Sequence, residues 1–594
     1  MTGLRRTRWR TGPLLSLVAA LLAGCVNVPT VGPVERVEGS EQSCQNCVDI
    51  QVAPPAPGDE PKQVVDGYLR ATSNYQANYA VARQFLTVDA GERWSPEDGA
   101  LIYRGLPRSE GADRVTFDGR LIGSLAADRS YTARDEPLSH DFGLRQENGE
   151  WRIDNPLPGL MVSDFSFTSS YQAYDLFFVG SNGGSYSTLV PDPIYLPRLN
   201  SVASVASALI KALLNGPSQW LLPAVSTRIP QGTTLNVDSV TITGDGVATV
   251  PLSDQVLALS DPDRSLLAAQ VVYTLKQVVG IKAVLFTVNQ QSYRVPGSDP
   301  NSQAVATKDF AAELDPIPSV AADQLYAVKG RSLELVTPNG PEITVARAPG
   351  PLGRGELDLE SIAVSVTNTD VAVVTDDGTR LSRAPASNAD GVVTTILDGV
   401  DDLVRPQFSR YGEIWEIGRR GKRQQMWLFG PERVQVDVAG VLDGGVVRAF
   451  RISPDGTRMA VVRRVGNRDE LGLARIIRTG AATVTVDGWR VLNTTQENQP
   501  QVTQMADVGW LNATQLLVLG SANRNAALGP VKIAQDASQI VGENQANNWN
   551  AVELTVQPRT QTALIVGGDQ RIYRDDGSQW QPFLDGVSTI AYPG

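Results

Sequence analysis

Side chains recur at helical spacing in three stretches of the chain. Val65, Tyr68, Leu69 and Thr72 share one face, and Pro61 suits a first helical turn. Val202, Val205, Leu209 and Leu213 mark a second face, which Asn215-Gly216-Pro217 stops. Leu267, Val271, Leu275 and Val278 mark a third, ending at Gly280. A further helix is predicted from Tyr79 to Leu86. Short alternating runs predict strands at 114–117, 141–144 and 151–153, the last after the turn Asn148-Gly149. Others are expected at 175–179, 234–237, 247–250 and 284–288. The segment 61–165 therefore reads as helices followed by a curved antiparallel sheet, an α+β unit. The segment 171–300 reads as two helices packed on one sheet.

From about Leu325 onward the pattern changes to an internal repeat. Apolar strand, polar turn and apolar strand recur at 362–374, 406–415, 450–462, 508–519 and 554–566. The roughly 40–60-residue spacing is that of propeller blades. In Ser453-Pro454-Asp455-Gly456, Pro presets φ, Asp bonds its own backbone and Gly takes the left-handed corner. No helix-period segment interrupts the region. One sheet per repeat cannot stand alone, so five or six blades are expected to close a ring over 315–594. The acidic pairs Asp376-Asp377 and Asp575-Asp576 each precede a Gly and read as turn chemistry before calcium ligation.

The N-terminus has three parts. Arg5, Arg6, Arg8 and Arg10 precede an apolar run from Pro13 to Ala23, and small residues then lead to Cys25. This is the layout of a secretory signal over 1–24, and the run is too short to cross a bilayer of ~30 Å. Leu22-Ala23-Gly24-Cys25 resembles the lipobox of bacterial lipoproteins. That resemblance implies an S-diacylglycerol, N-palmitoyl cysteine at Cys25, with the mature chain tethered to the extracytoplasmic face of the cell membrane. One acyl chain holds a membrane only marginally, at ~0.8 kcal/mol per buried methylene, so two or three are needed. Residues 25–60 are rich in Pro, Gly, Glu and Gln and read as a spacer.

Composition narrows the chemistry. The formal charge of -12 becomes -16 once the four signal arginines are removed. Such a surface argues against nucleic acid and against an electrostatic hold on anionic lipid. Cys44 and Cys47 are candidates for a small disulfide; idle thiols, a partner contact and redox chemistry are the alternatives. A thioredoxin-type motif needs a following helix, which the prolines at 54, 55 and 57 forbid. Two cysteines alone make no zinc site, so no metal or cofactor is expected. His140 is the one histidine of the chain, and a Ser-His-Asp or Cys-His arrangement would have to use it. Its place at a strand edge favours a packing role, so no catalytic residue is assigned and no enzyme activity is expected.

Several segments resemble known modules. The first folded unit is similar to NTF2-like or cystatin-like accessory domains. Ala212-Leu213-Leu214-Asn215-Gly216-Pro217, Ile229-Pro230-Gln231-Gly232-Thr233 and Val271-Val272-Tyr273-Thr274-Leu275 resemble the GerMN domain of exported bacterial proteins. The order of lipobox, spacer, NTF2-like unit at 61–165, GerMN block at 171–300 and propeller resembles the LpqB lipoprotein family of actinobacteria. That resemblance implies an accessory protein of the MtrA–MtrB two-component system. It would bind the extracellular domain of the sensor histidine kinase MtrB and influence envelope homeostasis and division. Two readings compete with it: a peptidoglycan- or glycan-binding envelope lipoprotein (or envelope hydrolase, which needs paired carboxylates in a cleft), and a purely structural envelope protein.

Overall fold

The computed structural model describes residues 52–180, 188–298, 300–319, 324–339, 342–430, 433–438, 440–480, 483–496, 499–542, 550–575 and 579–594. The signal segment, Cys25, Cys44, Cys47 and Asp576 lie outside the described residues.

The N-terminal domain opens on α1 (Pro61–Ser73), whose first turn is fixed when Gln63 Oε1 accepts from Glu60 N at 2.7 Å. Its buried face, Val64, Val65, Tyr68 and Leu69, packs on a four-stranded sheet. Short helices α2 (Ala80–Gln84) and α3 (Val88–Arg93) follow, where a single helix to Leu86 was expected. Phe85 and Leu86 leave the helical path because the Phe85 carbonyl accepts from Ile153 N and Leu86 forms an isolated bridge to Ile153. The sheet runs in the order Tyr131–Asp141, Val115–Leu125, Ala100–Ser109, Leu160–Ser163, with the last pair parallel. α4 (Asp164–Ser170) leads into the second domain.

That domain carries α5 (Val202–Leu214) and α6 (Asp261–Leu275), which share one core through Leu209, Leu213, Leu267 and Val271. After Asn215, Gly216 takes φ +88° and ends α5, a corner that suits a residue without Cβ. The strands form two sheets rather than the single one expected. Leu189–Pro197 pairs only with Tyr171–Gly180, because Pro191, Pro193 and Pro197 have no N–H to offer a further neighbour. The expected strand at 234–237 reduces to one bridge, Leu235 to Leu252. Asn236 instead spends its side-chain amide on the Leu252 carbonyl at 2.9 Å and so caps the ladder.

Six sheets then surround a common axis. Blade 2 begins at Ser361–Val364, blade 3 at Gln407–Phe408, blade 4 at Val446–Ile452, blade 5 at Gln504–Trp510 and blade 6 at Ala551–Gln557. These are the innermost strands, and each continues outward by antiparallel hairpins. Blade 1 differs: Leu325–Lys329 is its second strand, and its innermost strand is the chain's own end, Val587–Ala591. One helical turn, α7 (Pro351–Arg354), interrupts the region where none was expected. Pro351 starts it and Gly355 stops it, so it links blades 1 and 2 without adding a layer.

Buried arginines dock the second domain on the propeller. Arg458, fully buried, donates to the Pro191 carbonyl at 3.2 Å and the Ala513 carbonyl at 2.9 Å, and pairs with Asp455 and Gln535. Trp220 Nε1 donates to the Gly488 carbonyl at 2.8 Å beneath the Arg490 guanidinium, 3.9 Å from the ring. Tyr195 donates to Asp536 at 2.9 Å and packs with Tyr131 and Phe167, so that three domains meet there.

Replacing Arg458 by Ala leaves Asp455 buried and uncompensated. We expect a loss of about 3–5 kcal/mol, read as a lower propeller transition in calorimetry. A second prediction concerns pH. Burial pushes the Asp192 carboxyl up to about 6, although Ser218 donates to it from N at 2.6 Å and Oγ at 2.9 Å. Its folded pKa lies above the unfolded value near 4, so its stabilising contribution is full below pH ~4 and lost as pH rises toward 6. Asp192→Asn removes that titration. Between pH 4 and 7 the variant should gain on the wild type by up to about 3 kcal/mol in denaturation experiments.

Candidate functional site: the propeller axis and its mouth

The innermost strands bring charged side chains to the axis. Arg405, on the connector into blade 3, crosses it. Its Nε donates to the Ile362 carbonyl of blade 2 at 3.2 Å, its Nη1 to the Leu554 carbonyl of blade 6 at 2.8 Å, and its Nη2 to the Ile590 carbonyl of blade 1. The same guanidinium lies 3.1 Å from Glu553 and 3.6 Å from Asp507. Asp507 also pairs with Arg451 at 2.9 Å and accepts from Leu554 N at 3.0 Å. Glu553 accepts from Thr589 Oγ1 at 2.8 Å and Ile590 N at 2.9 Å. Two arginines and two carboxylates thus tie all six blades together. Burial raises the Glu553 carboxyl, against the pull of Arg405, and lowers Arg451 to about 10.

At the end of the axis facing the second domain, the inner turns form a mouth. Arg410 comes from the inner turn of blade 3 and Arg559 from that of blade 6. The connector from the second domain runs across this mouth. Arg410 Nη2 donates to the Glu313 carbonyl at 2.8 Å and its Nη1 to the Asp315 carbonyl at 2.9 Å. Arg559 holds the Ile317 carbonyl and lies 3.3 Å from the Asp315 carboxylate. Ile317 and Pro318 line a small cavity at the mouth together with Val366, Phe408, Trp510 and Tyr592. The arrangement grips a carbonyl-presenting segment, a 3-10 turn over Ala312–Leu314 and the bends after it; here that segment is the chain's own.

The residues singled out from sequence have other places. His140 Nε2 lies 2.7 Å from the Asn155 carbonyl and its ring meets the edge of Phe142 at 5.0 Å. Asp376 and Asp377 occupy a turn with left-handed φ, and Asp376 pairs with Arg380. Asp455 does bond the Thr457 amide at 2.9 Å, as its turn motif implies, and Gly456 takes φ +81°. Burial would raise Asp455, but Arg458 and the Thr457 hydrogen bonds hold its carboxyl below the usual range. The axial charges escaped sequence reading. Their signal is a charge beside or inside four of the five apolar repeats: Arg405 before Pro406, Arg451 after Phe450, Asp507 before Val508 and Glu553 before Leu554.

Models of known families match three segments of the chain. The N-terminal domain of lipoprotein LpqB matches residues 54–168, the sporulation and spore germination domain 175–294, and the LpqB β-propeller domain 334–593. A lipoprotein LpqB of Cutibacterium acnes is 30% identical over 600 residues, covering 97% of this chain and 98% of that protein. The chain belongs to the LpqB lipoprotein family. A Thermobifida fusca LpqB is 27% identical and covers 97% of each chain. One of Mycobacterium bovis is 27% identical over 76% of this chain and 77% of its own. Membership of this family implies a membrane-anchored envelope protein. No helix among the described residues is long and apolar enough to cross a membrane.

Arg410→Ala combined with Arg559→Ala removes the grip on the connector. We expect cleavage by a broad-specificity protease between 313 and 319 to rise about tenfold or more, since local opening sets the rate.

Proposed function

We propose that the protein is an extracytoplasmic lipoprotein that binds the extracellular domain of the sensor kinase MtrB and modulates the MtrA–MtrB system. Family membership supports the partner, and one structural observation carries the geometry. The inner-turn face of the propeller is occupied by the chain's own connector and second domain through Arg410, Arg458 and Arg559. The opposite face carries the turns between second and third strands, because antiparallel strands alternate direction. That face carries exposed acids set against arginines: Asp376 pairs with Arg380, and Asp401 and Asp402 with Arg419. It offers a kinase domain a rigid ring edged with exposed paired charges. Lipid at Cys25 would keep the platform in the kinase's membrane.

The test is co-purification of MtrB with the full-length lipoprotein from detergent-solubilised membranes. Wild type should recover the kinase. Reversal of Asp401 and Asp402 to Lys should cut recovery about tenfold with an unchanged melting temperature, as expected for charges on an interface rim. Absence of MtrB from the wild-type sample overturns the proposal.

A further inference from the structure

We propose that the cavity where the three domains meet is a binding site for a short saccharide. It lies between α4, the Tyr171–Pro197 hairpin and the turns of blade 5 that face the second domain, and encloses about 400 Å³. That falls within the range of about 300–1,000 Å³ typical of small-ligand pockets. This inference is independent of the kinase reading, which concerns the far face of the ring.

The lining chemistry selects the ligand. No Lys or Arg lines the cavity, and two carboxylates, Asp175 and Asp536, do. An anionic ligand is therefore disfavoured. Asp536 is already engaged: it accepts from Tyr195 at 2.9 Å and from Ser538 N at 2.9 Å. Asp175 is different. Its backbone N–H and carbonyl are held by Gln277 at 2.9 and 2.6 Å, so the strand position is fixed. Its carboxylate makes no hydrogen bond or ion pair among the described residues, and burial pushes it up to about 6. The half-buried carboxylate lines the cavity with its acceptors unspent, so a bound group that donates is favoured.

The donors and acceptors around it are amides rather than charges. Gln515 and Gln539 face the cavity with side chains that have no hydrogen-bond partner among the described residues. Asn512 spends its Oδ1 on the Thr514 amide at 2.9 Å, which leaves its nitrogen free to donate. One free carboxylate with several neutral amides matches vicinal hydroxyls, each of which both donates and accepts. An apolar ligand would leave Asp175 stranded. Because the walls come from three domains, an occupant would also bridge them.

Isothermal titration of the full-length lipoprotein in detergent micelles tests this with N,N′-diacetylchitobiose, maltose and spermidine as probes. At least one disaccharide should bind saturably at one site. Asp175→Ala and Asp175→Asn should each weaken it about tenfold or more, and Gln515→Ala severalfold. Asp358→Asn, in the exposed link between blades 1 and 2, should leave it unchanged. Melting temperatures identify any variant that fails to fold, and Gln515→Ala with Gln539→Ala then carries the test. The proposal is overturned if neither disaccharide binds, if spermidine alone binds, or if folded pocket variants bind as well as wild type.

Discussion

One guanidinium holds the centre of the propeller. Arg405 reaches carbonyls on three innermost strands and two carboxylates beside them. Innermost strands converge on an axis where each has an unpaired edge, and buried carbonyls there need donors. A planar fork with five N–H groups meets several of them from a single position, which an ammonium does not match. The cost is a buried positive charge, and Glu553 and Asp507 offset it. Removing either side of this network would expose the other to the full desolvation penalty. The ring therefore depends on the set being complete.

Closure at the rim is the second condition. Val587–Ala591 supplies the innermost strand of blade 1 and pairs with Leu325–Lys329 over some 260 residues of intervening chain. This explains what was legible. Blades 2 to 6 each carry inner strand, turn and second strand in succession, and all five hairpins stand in the sequence as repeats. Blade 1 has no such run, because its inner strand lies at the other end of the chain. Local patterning shows hairpins, but it does not show which distant strand completes a sheet. The same limit hid the division of the second domain into two sheets, although Pro191, Pro193 and Pro197 carried the signal.

The helices were legible where one face is buried. α1, α5 and α6 fall where the faces through Val65, Leu209 and Val271 predicted them. The charged contacts were not. Asp455 reads locally as a turn former, and it is one, yet its carboxylate is wholly buried against Arg458. Nothing in Ser453-Pro454-Asp455-Gly456 distinguishes an exposed turn from one covered by another domain. Arg559 lies 242 residues from the Ile317 carbonyl that it holds, and Arg410 lies 97 from that of Glu313, so these too are pairings of tertiary structure. Glu416 is the extreme example. It is fully buried, one oxygen accepts from the Ile417 amide, and burial raises its carboxyl far above the usual range.

These placements bear on the charge of the outer surface. The chain is acidic overall at -12, yet its most buried arginines are matched by acids: Arg451 and Arg405 by Asp507 and Glu553, Arg458 by Asp455, Arg463 by Glu470, and Arg478 by Glu413. The interior pairs cancel, so the excess of acid is carried by exposed groups. A surface of that sign is repelled by anionic headgroups, with a reach of about a Debye length, roughly 8 Å in physiological salt. Adhesion to a bilayer through the folded domains is thereby opposed. The buried arginines serve the interior instead: Arg458 joins the second domain to the propeller, and Arg405 and Arg451 join blade to blade.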